Sequence, residues 1–74
     1  MSENQKFTIE VEQEADGRWL AEVLELPGVM AYGENVEQAQ AKVEALALRV
    51  LAEEIDASKE NMPKSFASIA FSLA

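Results

Sequence analysis

Carboxylates are the only abundant side chains here that could do chemistry. Glu10, Glu12 and Glu14 recur at every second residue, and Asp16 lies just beyond them. Such a cluster could hold Mg²⁺ or carry out acid–base chemistry. However, a metal site needs ligands that converge from several elements, whereas one strand presents its alternate side chains in a row. We therefore expect no catalytic, cofactor or metal site. Solvation of these charges, or contact with arginine and lysine of a partner, explains them better.

The residue types that are missing exclude several classes of site. The chain has no Cys and no His, so it has no disulfide, no Cys/His zinc site and no thiol nucleophile. No serine lies in a nucleophile-elbow motif. The three glycines, Gly17, Gly28 and Gly33, fall at predicted strand ends instead of in a phosphate-binding loop. We expect turns with positive φ at these glycines and no enzymatic activity.

Composition and charge limit the partners. The chain has 74 residues, enough for one small domain spanning 1–74, whose core needs reinforcement from oligomerisation or a bound partner. Fourteen acidic and six basic residues give a net charge of −8, which argues against direct binding to nucleic acid or to an anionic membrane. A basic protein partner fits this charge, and so does solubility alone. No signal peptide and no membrane-spanning apolar run is visible, so we expect a cytoplasmic protein.

Alternating patterns predict three strands joined by tight turns. Residues 6–14 alternate apolar and polar side chains, and Asp16-Gly17 predicts a hairpin into a second strand over residues 18–25. Leu20 and Leu24 lie on the opposite face of that strand from Trp19. Leu26-Pro27-Gly28 predicts a second turn, followed by a short strand over residues 29–32 that ends at Gly33.

A helix and a final strand follow. Asn35 is a good N-cap and Gln38 completes a capping-box pattern. Apolar residues at helical spacing predict a helix from Val36 to Asp56 with one buried stripe. Residues 57–65 form a polar connector in which Pro63 prevents the helix from resuming. The last strand alternates over residues 67–73, with Phe66 at its start.

These elements predict an α+β fold, a two-layer β-β-β-α-β sandwich. Short turns make the first three strands an antiparallel meander, and the last strand joins the first in parallel, giving the sheet order 3-2-1-4. The helix covers one face, and no element in the sequence covers the other. We expect Leu20 and Leu24 on the uncovered face, with Met30, Tyr32 and Phe66 as further candidates. An exposed apolar sheet face usually marks a contact surface.

The order of these motifs resembles the HicB-like antitoxin family. The similar features are the strand that ends in Asp16-Gly17, the strand with Ala21, the Leu26-Pro27-Gly28 turn and the helix start at 33–39. Asn35 and Gln38 stand where this family usually has Thr and Glu, and both still cap a helix. Full antitoxins of this type carry a C-terminal DNA-binding segment, which the chain lacks, so we expect no operator binding.

The resemblance implies a partial ribonuclease-H-like fold without nuclease activity. It also implies binding to a small basic HicA-like toxin, an mRNA interferase, and self-association into dimers or larger assemblies. The first hypothesis is therefore an antitoxin-type inhibitor whose residues Glu10, Glu12, Glu14 and Asp16 face arginine and lysine of the toxin. The second is a stand-alone homo-oligomeric domain with no toxin partner. The third is a small hydrolase or metal-dependent enzyme that uses the same carboxylates.

Overall fold

In a computed structural model, which describes residues 2–58 and 65–74, four strands form one mixed sheet and one helix packs on it. The strand order is β3-β2-β1-β4, with β4 parallel to β1 and the other neighbours antiparallel, as predicted. The elements in chain order are β1 (Ser2–Gln13), β2 (Trp19–Val23), β3 (Met30–Gly33), α1 (Val36–Ser58) and β4 (Ser65–Leu73).

Several boundaries differ from the predicted ones. β1 starts at Ser2 instead of residue 6, because its first half pairs with β4. β2 ends at Val23 instead of residue 25, because the chain turns away there. α1 continues to Ser58, and β4 starts at Ser65, so both shorten the predicted connector. Pro63 lies outside the described residues.

The β1–β2 hairpin closes around Gly17. The Gly17 N–H donates to the Glu14 carbonyl at 2.9 Å, and the Glu14 N–H donates to the Arg18 carbonyl at 2.7 Å. Gly17 has a φ of 93°, whereas no described residue other than glycine has a positive φ. The hairpin therefore has a three-residue loop over 15–17, in which glycine supplies the left-handed position.

The second turn depends on Pro27 and Gly28. The Leu26 carbonyl accepts the Val29 N–H at 3.0 Å, and Gly28 has a φ of 86°. Proline followed by a residue with positive φ is typical of a type II turn. Glu25, just before this turn, hydrogen-bonds to β1 beyond the end of β2. Its carboxylate accepts the Thr8 N–H at 2.8 Å and the Thr8 hydroxyl at 2.9 Å.

The start of α1 is fixed by a cap and a close approach. Asn35 Oδ1 accepts the Gln38 N–H at 2.8 Å, and Gln38 Oε1 accepts the Glu34 N–H at 2.7 Å. The positive φ expected at Gly33 is absent. Glycine is needed there for another reason, since a Cβ at Gly33 would lie 2.4 Å from the Ala39 nitrogen. β3 and the first turn of α1 thus touch backbone to backbone.

The core lies between α1 and the two central strands of the sheet, β1 and β2. The buried helix stripe follows the predicted i, i+4 spacing and meets alternate residues of the strands. The buried residues are Phe7, Ile9, Ala21, Val23, Val29, Ala39, Val43, Ala47 and Leu51. α1 lies mainly over β3 and β2, touches β1 at few positions and leaves β4 largely uncovered.

One predicted position is wrong. Phe66 was a candidate for the uncovered face, but it packs against the core on the helix side. The cause is a register shift between β1 and β4: Glu3 pairs with Phe66 and Asn4 pairs with Ser68, so the ladder skips residue 67. Such a bulge changes the alternation, which puts Phe66 and Ile69 on the same face.

Candidate protein-binding face

The sheet face that points away from α1, here called the reverse face, has no covering element among the described residues. Alternation places on it the even-numbered residues of β1, β2 and β3 and those of β4 beyond the bulge, because their odd-numbered neighbours pack toward the core. The members with described side chains are Asn4, Lys6, Thr8, Glu10, Glu12, Leu20, Glu22, Met30, Tyr32, Ser68, Ala70 and Ser72.

Two neighbouring rows of the reverse face combine acidic and apolar side chains. The first row runs from Glu12 to Leu20 and from Leu20 to Tyr32. The second row runs from Glu10 to Glu22 and from Glu22 to Met30. Met30 is 42% exposed and Tyr32 is 40% exposed. Each row therefore presents a carboxylate edge on β1 beside an apolar edge on β3.

Glu10 and Glu22 are directly opposed across the β1–β2 ladder. Like charges at directly opposed positions destabilise an antiparallel pair, since their Cβ atoms are separated by only about 5 Å. Neither of these carboxylates, nor that of Glu12, has a hydrogen-bond or ion-pair partner among the described residues. The unfavourable pair would be relieved by a cation that approached the reverse face from outside.

The hairpin tip beside these rows is internally paired. The Asp16 carboxylate accepts the Arg18 N–H at 3.1 Å and the Arg18 Nε–H at 2.8 Å. The backbone hydrogen bond from Arg18, followed by the side-chain one, lowers the pKa of Asp16. The Arg18 guanidinium lies 4.3 Å from the Tyr32 ring centroid, and the Tyr32 hydroxyl donates to Glu14 at 3.3 Å. Asp16 and Glu14 are therefore less available to a partner than Glu10 and Glu12.

The predicted contact residues thus fall into separate groups. Glu10, Glu12 and Leu20 lie together on the reverse face, as their alternation predicts. Leu24 lies just after β2, opposite Thr8, whose carbonyl accepts its N–H at 3.0 Å. Glu14 and Asp16 belong to the hairpin tip. The sequence interpretation left out Glu22 and Arg18, although the alternation of β2 already placed Glu22 on the same face as Leu20.

A cleft of about 240 Å³ lies on the other side of the sheet, between β1, the second turn and the end of α1. Its walls combine four apolar side chains with one amide and two carboxylates. The Glu25 carboxylate is held by Thr8, which lowers the pKa of Glu25. The lining residues are Gln5, Phe7, Glu25, Leu26, Leu51, Glu54 and Phe66. This lining contains no nucleophile paired with a base.

No group of three or more acidic side chains in the described ranges 2–58 and 65–74 is arranged to hold a metal ion. No helix within them combines the length and apolarity needed to cross a bilayer.

Comparison with known proteins identifies no relative. No family model, no curated protein and no solved structure matches this chain. The resemblance to HicB-like antitoxins and the ribonuclease-H-like classification therefore stay predictions from the sequence, and the function must be argued from the site.

Proposed function

We propose that this chain is an antitoxin-type inhibitor that binds a small basic protein through its reverse face. The observation that carries the proposal is the opposed pair of Glu10 and Glu22, which has no neutralising partner among the described residues. A protein keeps such a pair at a cost to its own stability. An arginine or lysine of a partner between the two carboxylates would remove that cost.

The apolar side chains beside the carboxylates would add affinity and orient the partner. Leu20, Met30 and Tyr32 form an edge that a partner can bury, while Glu10 and Glu12 supply charge. Burial of apolar surface contributes most of the binding free energy, and charge complementarity mainly raises the association rate and selects the partner. The net charge of −8 would attract a basic protein over a long range at low salt.

The resemblance to HicB-like antitoxins supplies the class of partner, a HicA-like mRNA interferase. A nuclease of this kind must present basic side chains to its RNA, because neutralised phosphates supply much of the affinity for nucleic acid. A row of carboxylates on a rigid sheet competes for those same cations. Inhibition then needs no catalysis by this chain, no cofactor and no contact with nucleic acid, and it would take place in the cytoplasm.

The second candidate is a stand-alone homo-oligomer of the same fold with no toxin partner. It is favoured by β4, which is an edge strand without a charged residue. The two candidates differ in what the chain binds in its own host.

Co-purification tests the proposal. The tagged chain is recovered from its own host at low and at moderate salt, and the retained proteins are identified. We expect a small basic protein whose retention falls as salt rises and whose RNA cleavage stops when the chain is added back. Recovery of self-assemblies alone at every salt concentration would exclude the inhibitor and favour the second candidate.

A further inference from the structure

The outer edge of β4 has backbone groups that pair with no strand in the described part of the chain. β4 is the last strand of the sheet, and its inner edge pairs with β1. The Ala74 N–H donates to the Ile9 carbonyl at 2.8 Å, so alternation directs the N–H and C=O groups of Ile69, Phe71 and Leu73 outward. No described strand pairs with this edge. An unpaired edge of this length is a template for another strand.

The usual protections of an edge strand are missing from most of β4. Its nine residues are SFASIAFSL, which include no charge and no proline. The bulge at residue 67 affects only the start, and the pairing of Ser68 to Leu73 with β1 is regular. The opposite edge of the sheet is different, because β3 has only four residues. Natural proteins protect edges with short strands, charged side chains and bulges, so β4 is the edge left open.

The same strand also has an apolar strip that α1 covers only in part. Phe66, Ile69 and Phe71 are only partly buried, and Leu73 is 47% exposed. Phe71 stacks on Phe7 of β1, with ring centroids 5.7 Å apart, but none of the described strands lies beside its outer side. A strand added to this edge would bring side chains of its own against this strip.

We propose that β4 pairs antiparallel with β4 of a second copy, which joins the two sheets into one of eight strands. A two-fold axis perpendicular to the sheet brings the same strand edge of both copies together, so each residue pair across the interface occurs twice and the interface is self-complementary. Each chain has a net charge of −8, which makes most surfaces repel a second copy. β4 is the longer of the two described strands without a charged residue, so two copies that meet there bring no like charges into direct contact.

Another protein fits this edge less well. β4 has no charge that could attract or select a foreign strand, and the carboxylates of the reverse face lie on β1 and β2. The pairing also leaves the reverse faces of both copies open, on the same side of the joined sheet. The dimer therefore does not depend on the proposed function, and a dimer that does bind a basic protein would carry two binding faces.

The chain offers a matched pair of substitutions for the test. Leu73 on β4 is 47% exposed and Leu48 on the outer side of α1 is 46% exposed. Leu73→Lys places a charge on the proposed interface, and Leu48→Lys makes the same chemical change elsewhere. Sedimentation velocity should find a dimer for the unchanged chain at concentrations on the order of 10–100 μM. We expect Leu73→Lys to weaken dimerisation by about tenfold or more and Leu48→Lys to leave it unchanged.

Amide hydrogen exchange locates the interface without any substitution. The amides of Ile69, Phe71 and Leu73 should exchange slowly at high concentration and faster on dilution, because only the dimer pairs them. If circular dichroism shows that Leu73→Lys does not fold, Ser72→Lys on the reverse face of β4 takes its place. The proposal would be overturned if the chain were a monomer at every concentration or if the dimer persisted after the β4 substitution. It would also be overturned if Leu48→Lys weakened dimerisation as much as Leu73→Lys does.

Discussion

Gly33 lies against the backbone of Ala39 so closely that a methyl group would not fit between them. A Cβ at Gly33 would be 2.4 Å from the Ala39 nitrogen and 2.8 Å from its Cα. These are backbone atoms of α1, which cannot move without shifting the whole helix. The contact sets the distance between β3 and α1 at the end of the sheet where Tyr32 lies on the reverse face.

Gly33→Ala should therefore destabilise the fold. Overpacking of this kind costs about 1–3 kcal/mol, which for a domain of this size lowers the Tm by roughly 4–8 °C per kcal/mol. Thermal unfolding followed by circular dichroism measures the effect. Ala45→Ser, at an exposed position of α1, serves as the control and should stay within about 0.5 kcal/mol of the unchanged chain. Equal stability of the two variants would show that β3 and α1 separate easily.

The carboxylate of Glu25 should make stability depend on pH. Its pKa is lowered in the folded state, first by the Thr8 N–H and then by the Thr8 hydroxyl. The stabilisation is thus complete above the ordinary value of 4.5 and is lost as the pH falls through the lowered folded pKa. Glu25→Gln should remove this part of the acid sensitivity.

Urea unfolding at about pH 7 and about pH 3 measures that difference. The unchanged chain should be more stable than Glu25→Gln at the higher pH, and the gap should narrow at the lower pH. Glu53→Gln, on the exposed side of α1, removes one carboxylate without a Thr8 contact and controls for net charge. If the difference in free energy of unfolding between the unchanged chain and Glu25→Gln did not change with pH, the ionised Glu25 carboxylate would not be the source of the stabilisation.

The pairing of Arg18 with Asp16 leads to a prediction about binding. Arg18 lies over Tyr32 at the edge of the reverse face, where its positive charge opposes an incoming cation. Arg18→Gln should strengthen binding of a basic partner, whereas Asp16→Asn should change it less than Glu10→Gln does. Isothermal titration with the co-purified partner compares the three variants. Weaker binding by Arg18→Gln would mean that the tip contacts the partner through its arginine.

The strand order, the helix and the turns could be predicted because each depends on local signals. Alternation marks the strands, Gly17 and Gly28 mark the turns, and Asn35 marks the start of α1. The positive φ expected at Gly33 is wrong, because glycine is required there by the close contact with α1 and not by its own φ. Phe66 was placed on the wrong face because alternation does not reveal a bulge.

The candidate site was only partly predictable for a similar reason. Glu10 and Glu12 follow from alternation within one strand, but their closest neighbours are set by the register between strands. That register opposes Glu22 to Glu10. The ion pair of Asp16 depends on the three-residue hairpin loop, which brings Arg18 back to it. The pairings across strands therefore determine which carboxylates have no hydrogen-bond or ion-pair partner among the described residues.

The most direct test of the account compares two double variants in binding to the co-purified basic protein. Glu10→Gln with Glu12→Gln removes two charges from the reverse face, and Glu37→Gln with Glu53→Gln removes two from exposed positions of α1. Both changes alter the net charge equally, so long-range attraction is matched. We expect the dissociation constant to rise by about tenfold or more for the first variant and to change little for the second. Equal changes for the two variants would show that only the total charge matters and that the reverse face is not the binding site.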